Sequence, residues 1–367
     1  MNISRVNNLC SKLPSYNLDY AAIIPGATMR YLTGLDFHLM ERPIVAFFSP
    51  ESKPALIAPE FECSKIKSPA DWQLFPWRDE DGVEGAFAAC CQTLRLSKKR
   101  LGVESLVMRV KEYTLLQTFA PGLTISAVDP LIAALRMIKD ADEIQRIKAA
   151  VALAESALQE TLPKIKPGMT EKELAAELLI ALLIKAGSQT PLPFEPLVQT
   201  GLTAASPHAN PGDRKLAPGD LLIIDFGAKS GGYVSDITRT FAVGQISDKA
   251  RRIYDLVAQA NLAGREVAKP GLDCQSVDRA TRKVIANAGY GQYFTHRTGH
   301  GLGLDGHEPP FIVEGDTTPL QAGMTFTVEP GIYIPQLGGV RIEDDVLVTA
   351  AGLESLSAFS RELITVG

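Results

Sequence analysis

Two segments in the C-terminal half of the chain each carry acidic residues within a strand–turn–strand pattern. Residues 221–244 are LLIIDFGAKSGGYVSDITRTFAVG, in which apolar and β-branched residues flank a glycine-rich turn. Residues 326–348, FTVEPGIYIPQLGGVRIEDDVLV, repeat this arrangement. Both patterns predict β-hairpins. The fold must therefore place acidic side chains on strands that are otherwise apolar.

The first of these segments predicts a pair of opposed carboxylates. Folding it between Ser230 and Gly231 places Asp225 opposite Asp236. Directly opposed residues on one face of a sheet have Cβ atoms about 4.5–5.5 Å apart. Two carboxylates at that separation repel each other unless they bind a cation or share a proton.

The second segment predicts the same arrangement. Its turn centres on Gln336, and folding there places Glu329 opposite Glu343. Two opposed acidic pairs are difficult to explain as surface charges. Carboxylate oxygens are the ligands that hard divalent cations prefer, so the pattern indicates a metal site and favours hydrolysis.

Histidine residues cluster in one glycine-rich stretch. Of the five histidines, three lie in FTHRTGHGLGLDGHEPP, residues 294–310. Glycine lets the backbone approach a ligand closely. Together with the carboxylates, this favours functional roles for His300 and His307. His208, in the loop ASPHANPGDR, fits a functional or a structural role equally, and His38 gives a weaker signal.

Long ordered motifs resemble those of the Xaa-Pro peptidases and prolidases, which are pita-bread metallopeptidases related to methionine aminopeptidase and creatinase. The segments that carry the resemblance are PHANPGDR, IDFGAKSGGYVSDITRT, HRTGHGLGLDGHE, VEPGIYIPQLGGVRIED and LRMIKDADEIQRIKAA. The segment LDYAAIIPGATMRYLTGLDF, residues 18–37, is similar to the start of the creatinase-type N-terminal domain. The resemblance implies an α/β creatinase-like N-terminal domain over 1–130 and an α+β pita-bread catalytic domain over 131–367.

The resemblance also implies a complete set of metal ligands for two divalent ions per subunit. By its pattern, Asp225 binds one ion, His300 and Glu329 bind the second, and Asp236 and Glu343 bridge both. Such carboxylate-rich ligation suits Mn²⁺, and the histidine also permits Co²⁺ or Zn²⁺.

Further residues match the catalytic positions of these enzymes. His307 matches a histidine that contacts the substrate near the scissile bond, His208 and His296 match two other active-site histidines, and Arg341 matches an arginine close to the last ligand. Two divalent ions about 3.5–4 Å apart can activate a shared water molecule for attack. Glu329 is the expected proton acceptor, and His307 the expected donor to the developing oxyanion.

The expected reaction is hydrolysis of the Xaa-Pro peptide bond. Some prolidases carry an arginine just after the His-Glu pair, where it neutralises the free carboxylate of proline. Residues 307–312 are HEPPFI and contain no arginine, which slightly favours an Xaa-Pro aminopeptidase over an Xaa-Pro dipeptidase. Arg297, Arg341 or Arg42 of a second subunit could replace it. The motifs are also compatible with a lyase or amidohydrolase acting on a small non-peptide molecule, and with a binding protein that lacks catalysis.

Proline itself sets a requirement, because an Xaa-Pro bond is a tertiary amide without an N–H. A site that accepts it has to recognise the ring by shape. Phe294, Phe311 and Tyr333 are aromatic candidates for the proline pocket, and each also fits a position in the core.

Composition limits the partners. With a net charge of −5 and no basic run, neither nucleic acid nor an anionic membrane is expected as a partner. No apolar stretch approaches the length of about 18 residues that a membrane span needs. The first residues lack the apolar core of a secretory signal, and the five scattered cysteines fit reduced thiols in the cytoplasm. The resemblance implies proline-containing peptides and a second copy in a homodimer as partners. As in dimeric members of the resembled family, loop 36–42 would reach the other active site, although an ordinary surface loop fits the same residues equally well.

Helix signals are clearest after the proposed boundary. Periodic apolar residues predict a helical stretch over 131–162 that breaks near Lys139-Asp140. Thr170 is expected to cap a helix over 171–185. Two further helices are expected over 247–268 and 273–288.

Overall fold

The computed structural model describes residues 1–187 and 191–367 and consists of two compact units, Met1–Arg136 and Met137–Gly367. The first unit contains strands and helices in alternation. Its strands are β1 (Tyr20–Ile23), β2 (Val45–Ser49), β3 (Ser52–Pro59), β4 (Gln73–Trp77), β5 (Arg100–Val103) and β6 (Thr124–Ala127). Its helices are α1 (Ile3–Lys12), α2 (Ala27–Thr33), α3 (Glu84–Thr93), α4 (Val110–Phe119) and α5 (Asp129–Arg136).

The strands of the first unit form one six-stranded mixed sheet in the order β4-β3-β2-β1-β5-β6. Its central strands are buried along their length, as expected where helices cover a sheet. Phe47 and Leu101 of the sheet pack with Phe87 of α3 and Leu116 of α4. The predicted α/β class is thus confirmed. Helix α5 continues this compact unit to Arg136, and the domain limits 1–130 and 131–367 stay a prediction.

The second unit combines helices with several small sheets, which confirms the predicted α+β class. Its helices are α6 (Ala141–Thr161), α7 (Glu171–Ala186), α8 (Asp248–Val267) and α9 (Cys274–Asn287). Its strands are β7 (Leu197–Thr200), β8 (Leu221–Phe226), β9 (Lys229–Ser230), β10 (Tyr233–Val234), β11 (Ile237–Val243), β12 (Gly299–Gly301), β13 (Glu308–Ile312), β14 (Thr325–Val328), β15 (Gly331–Ile334), β16 (Gly338–Arg341), β17 (Asp344–Thr349), β18 (Gly352–Ser355) and β19 (Thr365–Val366).

Two sheets of the second unit carry the acidic residues. One has the order β19-β11-β8-β7 and the other the order β13-β12-β14-β17-β18. Helix α8 covers the β15–β16 hairpin, where Val257 packs with Ile332 and Val340. Helix α9 places Val277 against Phe326 of β14. These contacts bury one face of the β15–β16 hairpin and one face of the β14-containing sheet.

The helix signals of the second unit are confirmed. Helix α6 begins after the predicted break, with a capping box formed by Asp140 and Glu143. Thr170 caps α7 through its own capping box. Ser247 and Asp273 accept backbone N–H bonds at the starts of α8 and α9. Across the described parts of the chain, no helix combines the length and the apolarity that crossing a bilayer requires.

The register of the first acidic hairpin differs from the prediction. Asp225 lies opposite Thr238, and Ser230 pairs with Tyr233, so the predicted pairing of Asp225 with Asp236 is wrong. The turn is formed by Gly231 and Gly232, both at positive φ, as a two-residue hairpin turn of type I′ requires. The shift is two residues, so Asp236 stays on the sheet face of Asp225 because strand side chains alternate with period two.

The second acidic hairpin has the predicted register. Val328 pairs with Asp344 and Gly331 pairs with Arg341, which places Glu329 opposite Glu343. The turn centres on Gln336, as expected.

The glycine turn gives a stability prediction. Gly231 has φ of 56°, where a β-branched side chain is strained and asparagine is tolerated. Replacing Gly231 by valine should lower the free energy of unfolding by about 1–2 kcal/mol more than replacing it by asparagine. Urea unfolding of the two variants measures this difference. Equal stabilities would show that the turn does not depend on the left-handed backbone.

Candidate metal centre and active site

The five predicted metal ligands come from different strand ends and converge in the second unit. Asp225 belongs to β8, Asp236 precedes β11, His300 belongs to β12, Glu329 follows β14 and Glu343 precedes β17. Their ligand atoms form overlapping groups whose members lie within 4.8 Å of one another. The groups are Asp225–Asp236–Glu343, His300–Glu329–Glu343 and Asp236–His300–His307. Glu343, Asp236 and His300 each occur in two groups, and of these three the two carboxylates have the second oxygen that a bridging ligand needs.

His300 presents a lone pair to the carboxylates. Its Nδ1 lies 3.1 Å from the carbonyl oxygen of Gly301, so that nitrogen carries the proton. Its Nε2 lies 3.3 Å from Glu329 Oε1 and 3.7 Å from Asp236 Oδ2. Burial and the neighbouring His307 lower the pKa of His300 to about 3, so the ring is neutral. An unprotonated nitrogen facing carboxylate oxygens is unfavourable unless a cation or a carboxyl proton lies between them.

The carboxylates are protonated more readily than exposed acids. Burial, followed by the charges of neighbouring acids, raises the pKa of Asp236 and of Glu343 well above their usual range. Burial raises the pKa of Glu329 to about 7. Divalent cations would remove this repulsion.

Asp225 supplies a separate test of whether metal fits. Its Oδ2 accepts a hydrogen bond from Arg341 Nη2 at 2.7 Å. Its Oδ1 is buried and has no hydrogen-bond partner among the described residues. A buried oxygen without a partner is costly, and an ion bound there would satisfy it. The donor set therefore fits divalent metal ions, although nothing in it selects one element.

Two threonines that the sequence analysis missed orient two of the predicted ligands. Thr238 Oγ1 donates to Glu343 Oε2 at 2.6 Å, and Thr327 Oγ1 donates to Glu329 Oε1 at 3.2 Å. Thr238 lies two residues after Asp236, and Thr327 lies two residues before Glu329. This spacing puts each threonine on the ligand-bearing face of its strand and could have identified both from the sequence.

Arg341 and His296 belong to one hydrogen-bonded chain. Besides Asp225, Arg341 donates to Tyr333 Oη at 3.0 Å, and Tyr333 Oη lies 2.8 Å from His296 Nε2. His296 Nδ1 lies 2.7 Å from the carbonyl oxygen of Arg297. That nitrogen therefore donates, and Nε2 accepts the tyrosine hydroxyl. Burial lowers the pKa of His296 to about 4, so the ring is neutral. Both of its nitrogens are then engaged in hydrogen bonds.

His307 is exposed and stacks beside the metal centre. Its ring centroid lies 3.8 Å from that of His300, and its Nδ1 lies 3.3 Å from Arg297 Nη2. Burial and the charge of Arg297 lower the pKa of His307. A neutral imidazole in this position can donate to or accept from a bound substrate.

One cavity of about 780 Å³ is lined by every predicted site residue, including His208. Arg297, Pro193 and Phe194 also line it. Phe194 is an aromatic wall that the sequence analysis missed. Of the proposed proline-pocket residues, Tyr333 is buried behind His296 and Phe311 lies under the guanidinium of Arg297 at 4.7 Å.

Comparison with known proteins agrees with this geometry. Residues 145–350 match the family described as metallopeptidase family M24, and residues 5–138 match the Creatinase/Prolidase N-terminal domain. The structure is similar to that of a dipeptidase from Pyrococcus horikoshii OT3, with 37% sequence identity, coverage of 99% of this chain and 100% of that chain, and a TM-score of 0.93.

Other solved structures are also similar over nearly the full length. A recombinant prolidase from Thermococcus sibiricus is 32% identical, with coverage of 100% of both chains and a TM-score of 0.94. An X-Pro aminopeptidase from Thermotoga maritima MSB8 is 28% identical, with coverage of 98% of this chain and 99% of that chain and a TM-score of 0.86.

The raised carboxylate pKa values predict that metal stabilises the protein more at neutral pH than in acid. A folded-state pKa of about 7 for Glu329, above its usual value of 4.5, means that the metal-free fold loses stability as the pH rises from about 4.5 to 7. Bound cations offset the cost of keeping this buried carboxylate ionised. Thermal unfolding with chelator or with saturating Mn²⁺ should show a larger gain in Tm at pH 7.5 than at pH 5. The same gain at both values would contradict the electrostatic argument.

Proposed function

The chain belongs to metallopeptidase family M24, and we propose that it is an Xaa-Pro dipeptidase that uses two divalent ions. The similarity of the chain to a dipeptidase and to a prolidase supports dipeptides as the substrate class. The slight preference of the sequence analysis for an aminopeptidase rested on the missing arginine after His307-Glu308. The observation that carries the dipeptidase proposal is a different arginine, Arg297.

Arg297 is the cation in the cavity that has room for a substrate carboxylate. It lines the cavity beside His307 and rests on the ring of Phe311. Within residues 1–187 and 191–367, no carboxylate lies at ion-pair distance from its guanidinium. A planar guanidinium with free donors binds a carboxylate through two parallel hydrogen bonds, which suits the C-terminal carboxylate of a Xaa-Pro dipeptide.

The other candidates for this role are already engaged. Arg341 donates to Asp225, Tyr333 and the Thr238 hydroxyl, and it is buried. Arg42 forms ion pairs with Asp79 and Glu41 in the first unit.

Bound divalent ions supply Lewis acidity and a water molecule of lowered pKa. The residues of the chain supply orientation and proton transfer. We assign the five ligand positions to Asp225, Asp236, His300, Glu329 and Glu343, on the basis of their mutual distances. Thr238 and Thr327 orient Glu343 and Glu329 by hydrogen bonding.

Glu329 is the proposed proton acceptor and donor. Its carboxylate lies within the acidic cluster, where it can take a proton from the attacking water and return it to the imino nitrogen of proline. His307 is the proposed donor to the oxyanion, because it is exposed to the cavity beside His300. His208 lines the same cavity and is proposed to contact substrate. His296, with both nitrogens engaged, is proposed to act by orienting Tyr333 and Arg341.

Three competing functions would give different results with proline peptides. An Xaa-Pro aminopeptidase would hold peptides that continue beyond proline, and the similar Thermotoga maritima structure has that activity in its name. A lyase or amidohydrolase with this fold would fail on every proline peptide with metal present. A binding protein without catalysis would fail to turn over any substrate. Manganese as the metal, a homodimer and a cytoplasmic location also stay predictions.

The role of Arg297 predicts a charge-dependent preference. With metal bound, the protein should hydrolyse Ala-Pro faster than Ala-Pro-Ala. Replacing Arg297 by glutamine should raise KM for Ala-Pro by about 10- to 100-fold, because a hydrogen bond to a charged group contributes about 1.5–3 kcal/mol. Released alanine measures both effects.

Two controls make this test specific. Ala-prolinamide has no carboxylate, so the Arg297→Gln variant should cleave it as the unaltered protein does. Arg279→Gln removes an exposed arginine that pairs with Glu314 and should leave both substrates unaffected. A preference of the unaltered protein for Ala-Pro-Ala would instead assign it as an aminopeptidase.

The role of Glu329 predicts a loss of turnover without loss of the fold. Glu329→Gln keeps the size of the side chain but removes the proton acceptor, and kcat should fall by about 10²–10⁴-fold. Circular dichroism and metal analysis of the same sample separate lost chemistry from lost folding or metal. Activity close to that of the unaltered protein would overturn the assignment.

A further inference from the structure

The buried ion pair between Lys139 and Glu308 has no part in the chemistry proposed above. Their side chains are 1% and 6% exposed, and Lys139 Nζ lies 2.9 Å from Glu308 Oε1. Glu308 directly follows His307, and Lys139 lies in LRMIKDADEIQRIKAA, a motif to which no function has yet been assigned. We propose that the pair is a positioning device that holds the loop 302–307 so that His307 faces the metal centre. This inference rests on the proposed role of His307.

Backbone contacts fix the position of Lys139, the cation of the pair. The backbone N–H of Lys139 donates to the carbonyl oxygen of Gly323 at 2.9 Å, and Ile138 forms a β-bridge with Met324. The ammonium group also donates to the carbonyl oxygen of Met137 at 3.3 Å. Lys139 is thereby anchored next to the start of β14, the strand that leads to Glu329.

The anion of the pair lies inside the loop that carries His307. Glu308 begins β13, and its Oε2 accepts a hydrogen bond from the backbone N–H of Asp305 at 3.4 Å. A Cβ atom added at Gly303 would lie 2.7 Å from Glu308 Oε1, so the carboxylate fills the space beside that glycine. The loop therefore wraps around a carboxylate whose position Lys139 fixes.

Apart from the packing of its ring against that of His300, few contacts with the described residues hold His307. In the part of the chain that the structure describes, its ring has one hydrogen-bonding neighbour, Arg297, at 3.3 Å. Arg297 is proposed to bind substrate, so it cannot also be a fixed support. The position of the imidazole is then set by the backbone of the loop, and the loop is set by Glu308.

The same motif supports the neighbouring hairpin. Glu143 Oε1 accepts a hydrogen bond from Tyr233 Oη at 2.6 Å, which connects the start of α6 to the turn of the first acidic hairpin. The next residue, Val234, donates its N–H to the carbonyl oxygen of Gly303 at 2.9 Å. The hairpin turn and the His307 loop are thus joined to each other and to the segment 139–143.

The presence of an ion pair, in place of apolar side chains, supports a role for Lys139 and Glu308 in positioning the loop. A buried ion pair loses hydration, and apolar side chains of similar volume often stabilise a fold equally well. Charge-assisted hydrogen bonds, however, fix direction and distance more closely than apolar contacts do. Stability alone would not require Lys139 and Glu308.

The test is the double variant Lys139→Met/Glu308→Leu, which leaves no single buried charge. It should keep the Tm and metal content of the unaltered protein, while kcat for Ala-Pro falls about tenfold and KM changes little, because His307 acts in the transition state. A matched control, Lys164→Met/Glu177→Leu, makes the same change at a pair that is 42% and 40% exposed, and should not alter kcat.

A double-mutant cycle with His307→Ala then separates positioning from general weakening. If the pair acts through His307, its replacement should lower kcat by less than about twofold when His307 is already alanine. An unchanged tenfold loss in that background, or no loss in the unaltered background, would refute the proposal.

Histidine side-chain NMR of the zinc-loaded protein gives a readout that does not depend on activity. The double variant should shift or broaden the His307 ring signals and leave those of His38 unchanged. Unaltered His307 signals would overturn the proposal even if the protein cleaves Xaa-Pro dipeptides. If the unaltered protein cleaves none, the proposed function fails, and the NMR result still decides whether the pair positions His307.

Discussion

The mutual repulsion of four clustered carboxylates is the constraint on which the rest of the catalytic unit depends. The ligand atoms of Asp225, Asp236 and Glu343 lie within 4.8 Å of one another, and Glu329 joins Glu343 in a second group. Like charges at such distances repel far more strongly inside a protein than in water. The acids must take up protons or bind cations, and the buried Asp225 Oδ1, which has no hydrogen-bond partner among the described residues, favours cations.

Hydrogen bonds link the two acidic hairpins directly and hold the acids together against this repulsion. Glu343 receives a hydrogen bond from the Thr238 hydroxyl and donates its own N–H to the carbonyl oxygen of the same residue. The backbone N–H of Asp236 donates to Asp345 on the other hairpin, and buried Arg239 donates to the carbonyl oxygen of Glu343. Each hairpin therefore holds a ligand of the other. The acids cannot move apart to relieve their repulsion without breaking these bonds.

The two arginines that line the cavity have different roles. Arg341 neutralises part of the acidic cluster from a buried position, while Arg297 keeps its donors toward the cavity. Counting arginines after His307-Glu308 in the sequence could not make this distinction. It depends on which guanidinium is already paired, and pairing is a property of the packed structure.

Local chemistry in the sequence determined the helix caps at Asp140, Thr170, Ser247 and Asp273, the two hairpins and the set of acidic residues, because capping and turn formation act over a few residues. It determined the register about Gln336, whereas the register of the first hairpin was misplaced by two residues because the turn is centred on Gly231-Gly232 and not on Ser230-Gly231. Only the tertiary structure decided which partners meet over long separations, such as Thr238 with Glu343 and Lys139 with Glu308. Those contacts arise from the packing of whole strands and helices, which the period of a local pattern does not specify.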